Sequence, residues 1–214
     1  MRVGWDISHQ EFTVTDYYYF SILQKATRKE GITVDEVENW EELDRYDVIV
    51  LNYPEIPFTQ EEVERVRRWV EEGKRVILAG YYKNEDRIAD TCNSLARAFG
   101  LELNPDEVTD PESNYRNEPY FVVTSRVKAF NDGVEAVMFA CSASVTVKNP
   151  NAKVLLEAEN TAVSNKGFKP VLGAYYESES GGQFCLLGTC VFWDNYSIEL
   201  FSNLRFALNL LKKV

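Results

Sequence analysis

DVIVLNYPEIPFTQEEVERVRRWVEEGKRVILAG, residues Asp47 to Gly80, predicts one complete strand–helix–strand unit. Residues 47–51 are almost continuously apolar, which is typical of a parallel strand covered on both faces. Thr59 with Glu62 three residues later forms a capping-box pattern for the helix, and residues 76–79 supply the second strand. Crossovers of this length are nearly always right-handed, so both strands end at one edge of a parallel sheet, where we expect any ligand.

The segment before this unit adds two strands and a helix. Residues 3–7 predict a first strand, an amphipathic helix follows with Thr15 as its N-cap, and residues 32–34 predict a short, edge-like second strand. This order of elements predicts an α/β fold, a flavodoxin-like three-layer sandwich whose parallel core has the strand order 2-1-3-4.

The second half of the chain changes character. A helix is predicted from Asp86, and residues 104–119 predict a long exposed loop, either functional or a plain surface excursion. Short strand-like runs fill residues 121–187, with a hairpin at Gly181-Gly182, and predict antiparallel strands that extend the parallel sheet. A last helix is expected to begin near residues 195–197.

Composition limits the classes of partner. The 214 residues predict a single domain, 1–214, and the net charge of −11 argues against nucleic acid and anionic membranes as partners. Met1-Arg2-Val3-Gly4 enters a strand directly and does not resemble a signal peptide, so we expect a cytoplasmic protein. Homodimerisation through an edge strand or a helix face is left open.

The cysteines and the single histidine do not suggest a metal centre. No C-x-x-C spacing occurs, and most of the four cysteines sit in apolar patterns, which favours buried thiols over metal ligands. A zinc site would also need imidazoles, and His9 is the only one in the chain. We therefore expect neither a metal nor another cofactor. The cysteines are Cys92, Cys141, Cys185 and Cys190.

Several short motifs carry a resemblance to a known superfamily. They are Asp6-Ile7-Ser8-His9 with Glu11, Asn52-Tyr53-Pro54, Phe58-Thr59-Gln60-Glu61-Glu62, and Gly188 with Asp194-Asn195. With the order of elements, they resemble the class I glutamine amidotransferase-like superfamily. Within it, the chain is most similar to the non-catalytic branch that includes the domain of gliding-motility transport proteins and of an intraflagellar-transport subunit.

The resemblance implies that glutaminase activity is absent. A working amidotransferase carries its nucleophilic cysteine on a sharp turn after the strand that here ends at Gly80, and this chain has Tyr81-Tyr82 there. The catalytic His and Glu of the superfamily follow a late strand, where this chain has Gly188-Thr189-Cys190 and no histidine.

The carboxyl ends of the predicted strands collect polar and aromatic side chains at one edge of the sheet. The ligand-binding candidates among them are Asp6, Ser8, His9, Asn52, Tyr81, Thr189 and Asp194, and the catalytic candidates are His9, Glu11 and Asp6. A crevice with a few convergent polar groups and aromatic rings is the usual form of a small-molecule site.

The same residues also fit purely structural roles. His9 fits a hydrogen-bonded loop histidine better than a catalytic one, and Glu11 fits a solvent-exposed position. Asp194-Asn195 fits the N-cap of the last helix.

Two hypotheses follow. The first is a catalytically silent amidotransferase-like domain that binds a small polar ligand or a protein partner. The second is a hydrolase or isomerase that uses Asp6, His9 and Glu11, with or without a metal. Geometry separates them, because the second needs these three side chains to point into one pocket.

Overall fold

The strand–helix–strand unit predicted between Asp47 and Gly80 is present in the computed structural model, which describes residues 1–213. The strands of the described chain are β1 Arg2–Asp6, β2 Thr33–Val37, β3 Val48–Asn52, β4 Arg75–Ala79, β5 Leu101–Leu103, β6 Val108–Thr109, β7 Asn114–Tyr115, β8 Glu118–Thr124, β9 Val137–Ala140, β10 Val145–Val147, β11 Ala152–Glu157, β12 Val163–Ser164, β13 Val171–Glu177 and β14 Gln183–Leu187. The α-helices are α1 Tyr17–Lys29, α2 Gln60–Glu71, α3 Ile88–Ala96 and α4 Asn203–Leu211. Short 3-10 turns lie at Trp40–Arg45, Glu85–Arg87, Arg97–Phe99 and Val191–Trp193.

A seven-stranded, mostly parallel sheet forms the centre of the molecule. Its strand order is β11-β13-β14-β4-β3-β1-β2, and the five strands from β14 to β2 run parallel. β13 pairs antiparallel with β14, and β11 pairs antiparallel with β13 at the edge. The predicted mixed α/β fold is therefore confirmed.

The central strands are buried on both faces, as their unbroken apolar runs predict. Alternate residues of β3 belong to two different hydrophobic clusters, Val50 to one and Leu51 to the other. Helices α1 and α4 contribute to the first cluster, and α2 and α3 contribute to the second. Since both faces are occupied, the polar groups of these strands lie at the strand ends.

The prediction for the second half of the chain was partly wrong. β14 joins the sheet parallel to β4, and only β11 and β13 extend the sheet in antiparallel fashion. The other strands form small separate sheets, β5 with β10, β6 with β12, and β7 with β8 and β9. The predicted hairpin at Gly181-Gly182 is confirmed as the β13–β14 connection.

Residues 104–119 are not one exposed loop. Asn104, Asp106 and Asp110 are buried, and strands β6 and β7 lie within this stretch. The Asp106 carboxylate accepts hydrogen bonds from the backbone N–H and the hydroxyl of Ser144, at 2.8 and 2.7 Å. The polar residues of this stretch therefore make hydrogen bonds inside the protein. Its exposed residues are confined to 111–112 and 116–119.

Two helix starts differ from the predictions. The N-cap of α1 is Asp16, not Thr15, because the Asp16 carboxylate accepts from the backbone of Tyr18 and Tyr19. The last helix begins at Asn203, later than residues 195–197, because Phe201 has a left-handed backbone with φ of 51°. The residues between the predicted and the observed start form a run of turns.

Asn195 fastens this run of turns to helix α1. Its carboxamide nitrogen donates to the carbonyl oxygens of Tyr17 and Tyr18, at 3.2 and 2.6 Å. Its oxygen accepts from the backbone N–H of Ile22 at 3.1 Å. One side chain thus joins the first helix to the segment that leads into the last.

Among the helices of residues 1–213, none is both long enough and apolar enough to cross a membrane.

The capping box of α2 gives a direct test of the local structure. Glu62 N–H donates to the Thr59 hydroxyl at 3.3 Å, and Thr59 N–H donates to the Glu62 carboxylate at 2.7 Å. We expect Thr59→Ala to lower the free energy of unfolding by about 0.5–2 kcal/mol. Thr59→Ser keeps the hydroxyl and is expected to stay close to the wild type in urea denaturation; equal losses in both variants would contradict a capping role.

Candidate functional site

The predicted site residues lie at the carboxyl edge of the sheet, but they form two separate groups. Asp6 ends β1, and with Ser8, His9 and Glu11 of the following loop it forms what we call the acid–histidine cluster. Asn52 ends β3, Tyr81 and Asp194 follow β4 and β14, and all three line a cavity, which we call the aromatic cavity.

The acid–histidine cluster is held together by short polar contacts. His9 Nδ1 lies 2.8 Å from Asp6 Oδ2, and the Ser8 hydroxyl donates to Asp6 Oδ1 at 2.7 Å. The backbone N–H of His9 donates to Glu11 Oε2 at 2.8 Å. One ligand atom each of Asp6, His9 and Glu11 lies within 4.8 Å of the other two.

Burial and mutual contacts set the charges in the cluster. Burial opposes ionisation of Asp6, yet hydrogen bonds with His9 and Ser8, together with the neighbouring Glu11 carboxyl group, lower the pKa of Asp6 below its ordinary value. Burial disfavours the imidazolium form, but the bond to Asp6 raises the pKa of His9. Burial, followed by the charge of Asp6, raises the pKa of Glu11 to about 10.

The cluster is enclosed by protein. The exposed fractions of Asp6, His9 and Glu11 are 0%, 4% and 6%, so the predicted solvent exposure of Glu11 was wrong. The His9 ring packs against Phe58 and Trp40, with ring centroids 4.4 and 4.9 Å apart. Glu11 is buried because the loop after β1 folds inward over the sheet edge.

The carbonyl of His9 also organises a neighbouring loop. It accepts hydrogen bonds from the backbone of Glu55 and Ile56, at 2.9 and 3.2 Å. His9 therefore holds this loop through its backbone and contacts Asp6 through its ring.

The aromatic cavity has a volume of about 500 Å³ and lies over the ends of β3, β4 and β14. Most of its lining is aromatic or aliphatic, with a few polar groups. The lining residues are Phe12, Tyr19, Phe20, Asn52, Tyr53, Tyr81, Tyr115, Arg116, Phe121, Met138, Ala140, Cys141, Cys190, Val191, Asp194, Tyr196, Ser197 and Leu200.

Asn52 presents a free donor to this cavity. Its side-chain oxygen accepts from the indole Nε1 of Trp193 at 3.0 Å, which fixes the orientation of the carboxamide. Within residues 1–213, the hydrogen bond to Trp193 is the one that the side chain of Asn52 makes, and its nitrogen is left for the cavity that Asn52 lines. Asn52 therefore lines the cavity with a carboxamide whose orientation is fixed by Trp193.

Asp194 is the carboxylate of the cavity lining. Its Oδ1 accepts from the backbone N–H of Tyr196 at 3.0 Å, so it caps a turn and not helix α4, contrary to the predicted helix cap. Burial raises the pKa of Asp194 to about 7, although backbone donors partly oppose the shift. Asp194 thus titrates near neutral pH.

Thr189 does not reach the cavity. It is fully buried, its hydroxyl donates to the carbonyl of Ala140 at 2.7 Å, and it accepts from the backbone of Val191 at 3.1 Å. Its role is to hold the loop after β14. Asp6, Ser8 and His9 are likewise outside the cavity lining.

The position after β4 has no nucleophile. Tyr81 stands there and packs against Tyr53, with ring centroids 5.7 Å apart. The nearby thiols of Cys141 and Cys190 line the cavity and are half-buried, and burial raises the pKa of both. Both therefore remain protonated and unreactive at neutral pH.

One wall of the cavity was missed by sequence reasoning. Tyr115, Phe121, Met138 and Cys141 belong to the small β7-β8-β9 sheet and its ends. They are far in sequence from the parallel strands, and no motif marks them. Phe12 was also missed, although it directly follows Glu11 and packs against Tyr53 at 5.3 Å.

Comparisons with known proteins identify a family and a relative of this chain. A model of the family described as "Domain of unknown function (DUF4350)" matches residues 20–211. An "Uncharacterized protein" of Aquifex aeolicus (strain VF5) is 60% identical over 222 residues, which cover 100% of this chain and 94% of that protein.

Two solved structures share the fold. The mmIFT52 N-terminal domain has a TM-score of 0.81 at 18% identity and covers 97% of this chain and 94% of its own. A Thermoplasma acidophilum protein described as a putative GMP synthase component has a TM-score of 0.51 at 11% identity, with coverages of 99% and 92%. Both are compatible with the amidotransferase-like fold that the sequence motifs implied.

The raised pKa of Asp194 predicts a pH-dependent stability. The folded pKa of Asp194, about 7, exceeds the ordinary value of 3.8. The contribution of protonated Asp194 to the free energy of unfolding is therefore complete below about pH 4 and is lost as the pH rises towards 7. Asp194→Asn cannot ionise and keeps an acceptor for Tyr196. We expect its free energy of unfolding to rise relative to the wild type by up to about 1.4 kcal/mol per pH unit across this window.

Urea denaturation between pH 4 and 8 measures this difference. Glu179→Gln removes an exposed carboxylate and serves as the control. A difference between Asp194→Asn and the wild type that does not change with pH would show that Asp194 ionises normally.

Proposed function

This chain belongs to the family described as Domain of unknown function (DUF4350), and we propose that it is a catalytically silent amidotransferase-like domain that binds a small molecule at the carboxyl edge of its sheet. The observation that carries the proposal is the aromatic cavity of about 500 Å³. Ligand sites typically enclose about 300–1,000 Å³ and combine apolar walls with a few placed polar groups. A concave cavity of this size favours a small molecule over a protein partner.

The lining suggests the chemistry of the ligand. Aromatic side chains such as Tyr53 and Tyr81 offer ring faces for a flat or cyclic molecule. Asn52 offers a hydrogen-bond donor, and Asp194 accepts a hydrogen bond when ionised and donates one when protonated. We infer a ring-containing organic molecule with polar substituents, which is less polar overall than the sequence alone led us to expect.

The absence of turnover is supported by the groups at the sheet edge. A phenol, Tyr81, stands where an amidotransferase has its thiolate, and the cavity thiols are protonated. His9, the only histidine, is 4% exposed and does not line the cavity. These residues provide no activated nucleophile next to a bound ligand.

The alternative of a hydrolase or isomerase retains one supporting observation. Asp6, His9 and Glu11 do lie together, as an acid–base site requires. They are enclosed by protein, however, and a substrate in the aromatic cavity would not touch them. We therefore rank ligand binding above catalysis.

We also propose a cytoplasmic location. It is supported by the free state of all four cysteines, which suits a reducing compartment.

Ligand binding is tested by a screen of ring-containing metabolites, including nucleosides, indoles, phenols and sugars, by saturation-transfer NMR. Tyr81→Leu keeps an apolar side chain but removes the ring, and we expect about two- to tenfold weaker binding of the selected compounds by calorimetry. Tyr17→Leu is the matched control, because Tyr17 is 83% exposed and lies outside the cavity lining.

The proposal fails if no compound binds below about 1 mM, or if Tyr81→Leu and Tyr17→Leu bind equally well. NMR spectra of the ligand after prolonged incubation separate the two functions. An unchanged ligand supports a silent domain, and a converted ligand supports the hydrolase or isomerase.

A further inference from the structure

We propose that Asp6, His9 and Glu11 form a binding site for a divalent first-row transition metal, with Zn²⁺ as the ion that best fits these ligands. The site lies in the loop after β1, outside the aromatic cavity. It replaces the expectation from the single histidine that the protein binds no metal. It does not depend on the ligand-binding function proposed above.

The geometry is the first support. The three donor atoms lie within 4.8 Å of one another. Zn²⁺ binds imidazole nitrogen and carboxylate oxygen at about 2.0–2.2 Å, so neighbouring donors around it stand roughly 3.4 Å apart. The three side chains therefore need only a small adjustment to enclose an ion.

An unpartnered oxygen is the second support. Glu11 Oε1 is buried and makes no hydrogen bond within residues 1–213, whereas Oε2 accepts from the backbone of His9. A buried polar atom without a partner is costly and rare in folded proteins. A bound cation would give this oxygen its missing partner.

The surroundings of His9 are the third support. Nδ1 faces Asp6, and Nε2 lies 3.4 Å from the Glu62 carboxylate. A histidine that binds a metal through one nitrogen commonly donates its other N–H to a carboxylate, which fixes the tautomer and the ring orientation. Glu62 is itself held by the Thr59 capping box, and Phe58 packs on the ring.

The donor set indicates the type of ion. One imidazole and two carboxylates suit Zn²⁺, whereas Ca²⁺ and Mg²⁺ prefer shells made of oxygen ligands. The Ser8 hydroxyl lies 2.7 Å from Asp6 Oδ1 and 3.0 Å from His9 Nδ1, so a further oxygen stands beside the three donors. The Ser8 hydroxyl orients the Asp6 carboxylate and adds a polar group beside the three donors.

Co²⁺ titration of the tag-free, EDTA-treated protein tests the site. Co²⁺ replaces Zn²⁺ with similar ligands and gives visible absorption bands when protein donors bind it. We expect one equivalent to bind, with bands that Zn²⁺ abolishes by competition, and a rise in the thermal midpoint with either ion.

Glu11→Gln keeps the size of the side chain and an acceptor for His9 N–H, but it removes the carboxyl group that a bound ion would convert to a carboxylate ligand. We expect at least about tenfold weaker Co²⁺ binding, and weaker binding also in Glu62→Gln through the orientation of His9. Glu61→Gln, an exposed neighbour on the same helix, is the control and should bind like the wild type.

The inference is overturned if the wild type takes up no stoichiometric Co²⁺ or Zn²⁺, or if Glu11→Gln binds as well as Glu61→Gln. If Glu11→Gln does not fold, the Glu62→Gln comparison decides in its place. The metal site lies outside the aromatic cavity. A failed metal titration would therefore not change the result expected for ligand binding to the cavity.

Discussion

The burial of the central strands on both faces is the constraint on which the rest of the structure depends. β3 and β4 have apolar side chains above and below the sheet, and β1 has Val3 and Trp5 on one face and Gly4 packed against Tyr46 on the other, so there is no room for polar groups along the middle of these strands. Polar side chains lie where these strands end, and parallel strands end at the same edge. Asp6 and Asn52 are the last residues of β1 and β3, and both carry functional groups for this reason.

This constraint also explains which parts of the molecule could be predicted from sequence. The capping box at Thr59 and Glu62 and the apolar run of β3 are local patterns, and both are present as expected. The pairing of β14 with β4 could not be predicted, because the partner strand is about 100 residues away and carries no signal of direction. The same holds for the small sheet that covers the cavity.

The candidate site could also be predicted from the sequence only in part. Sequence reasoning placed Asp6, His9 and Asn52 at one edge, since each follows a recognisable strand. It did not separate the acid–histidine cluster from the aromatic cavity, because the direction of a loop side chain depends on tertiary contacts. Phe12 and Tyr53, with ring centroids 5.3 Å apart, belong to the cavity lining, whereas Asp6, His9 and Glu11 do not.

The clamp made by Asn195 has a consequence for the lining of the cavity. Asn195 binds the backbone of α1, which supplies Tyr19 and Phe20 to one wall, and it directly precedes Tyr196 on the adjoining wall. One carboxamide therefore couples these two parts of the cavity lining, so a displacement of the turns after residue 194 would be transmitted directly to the first turn of α1.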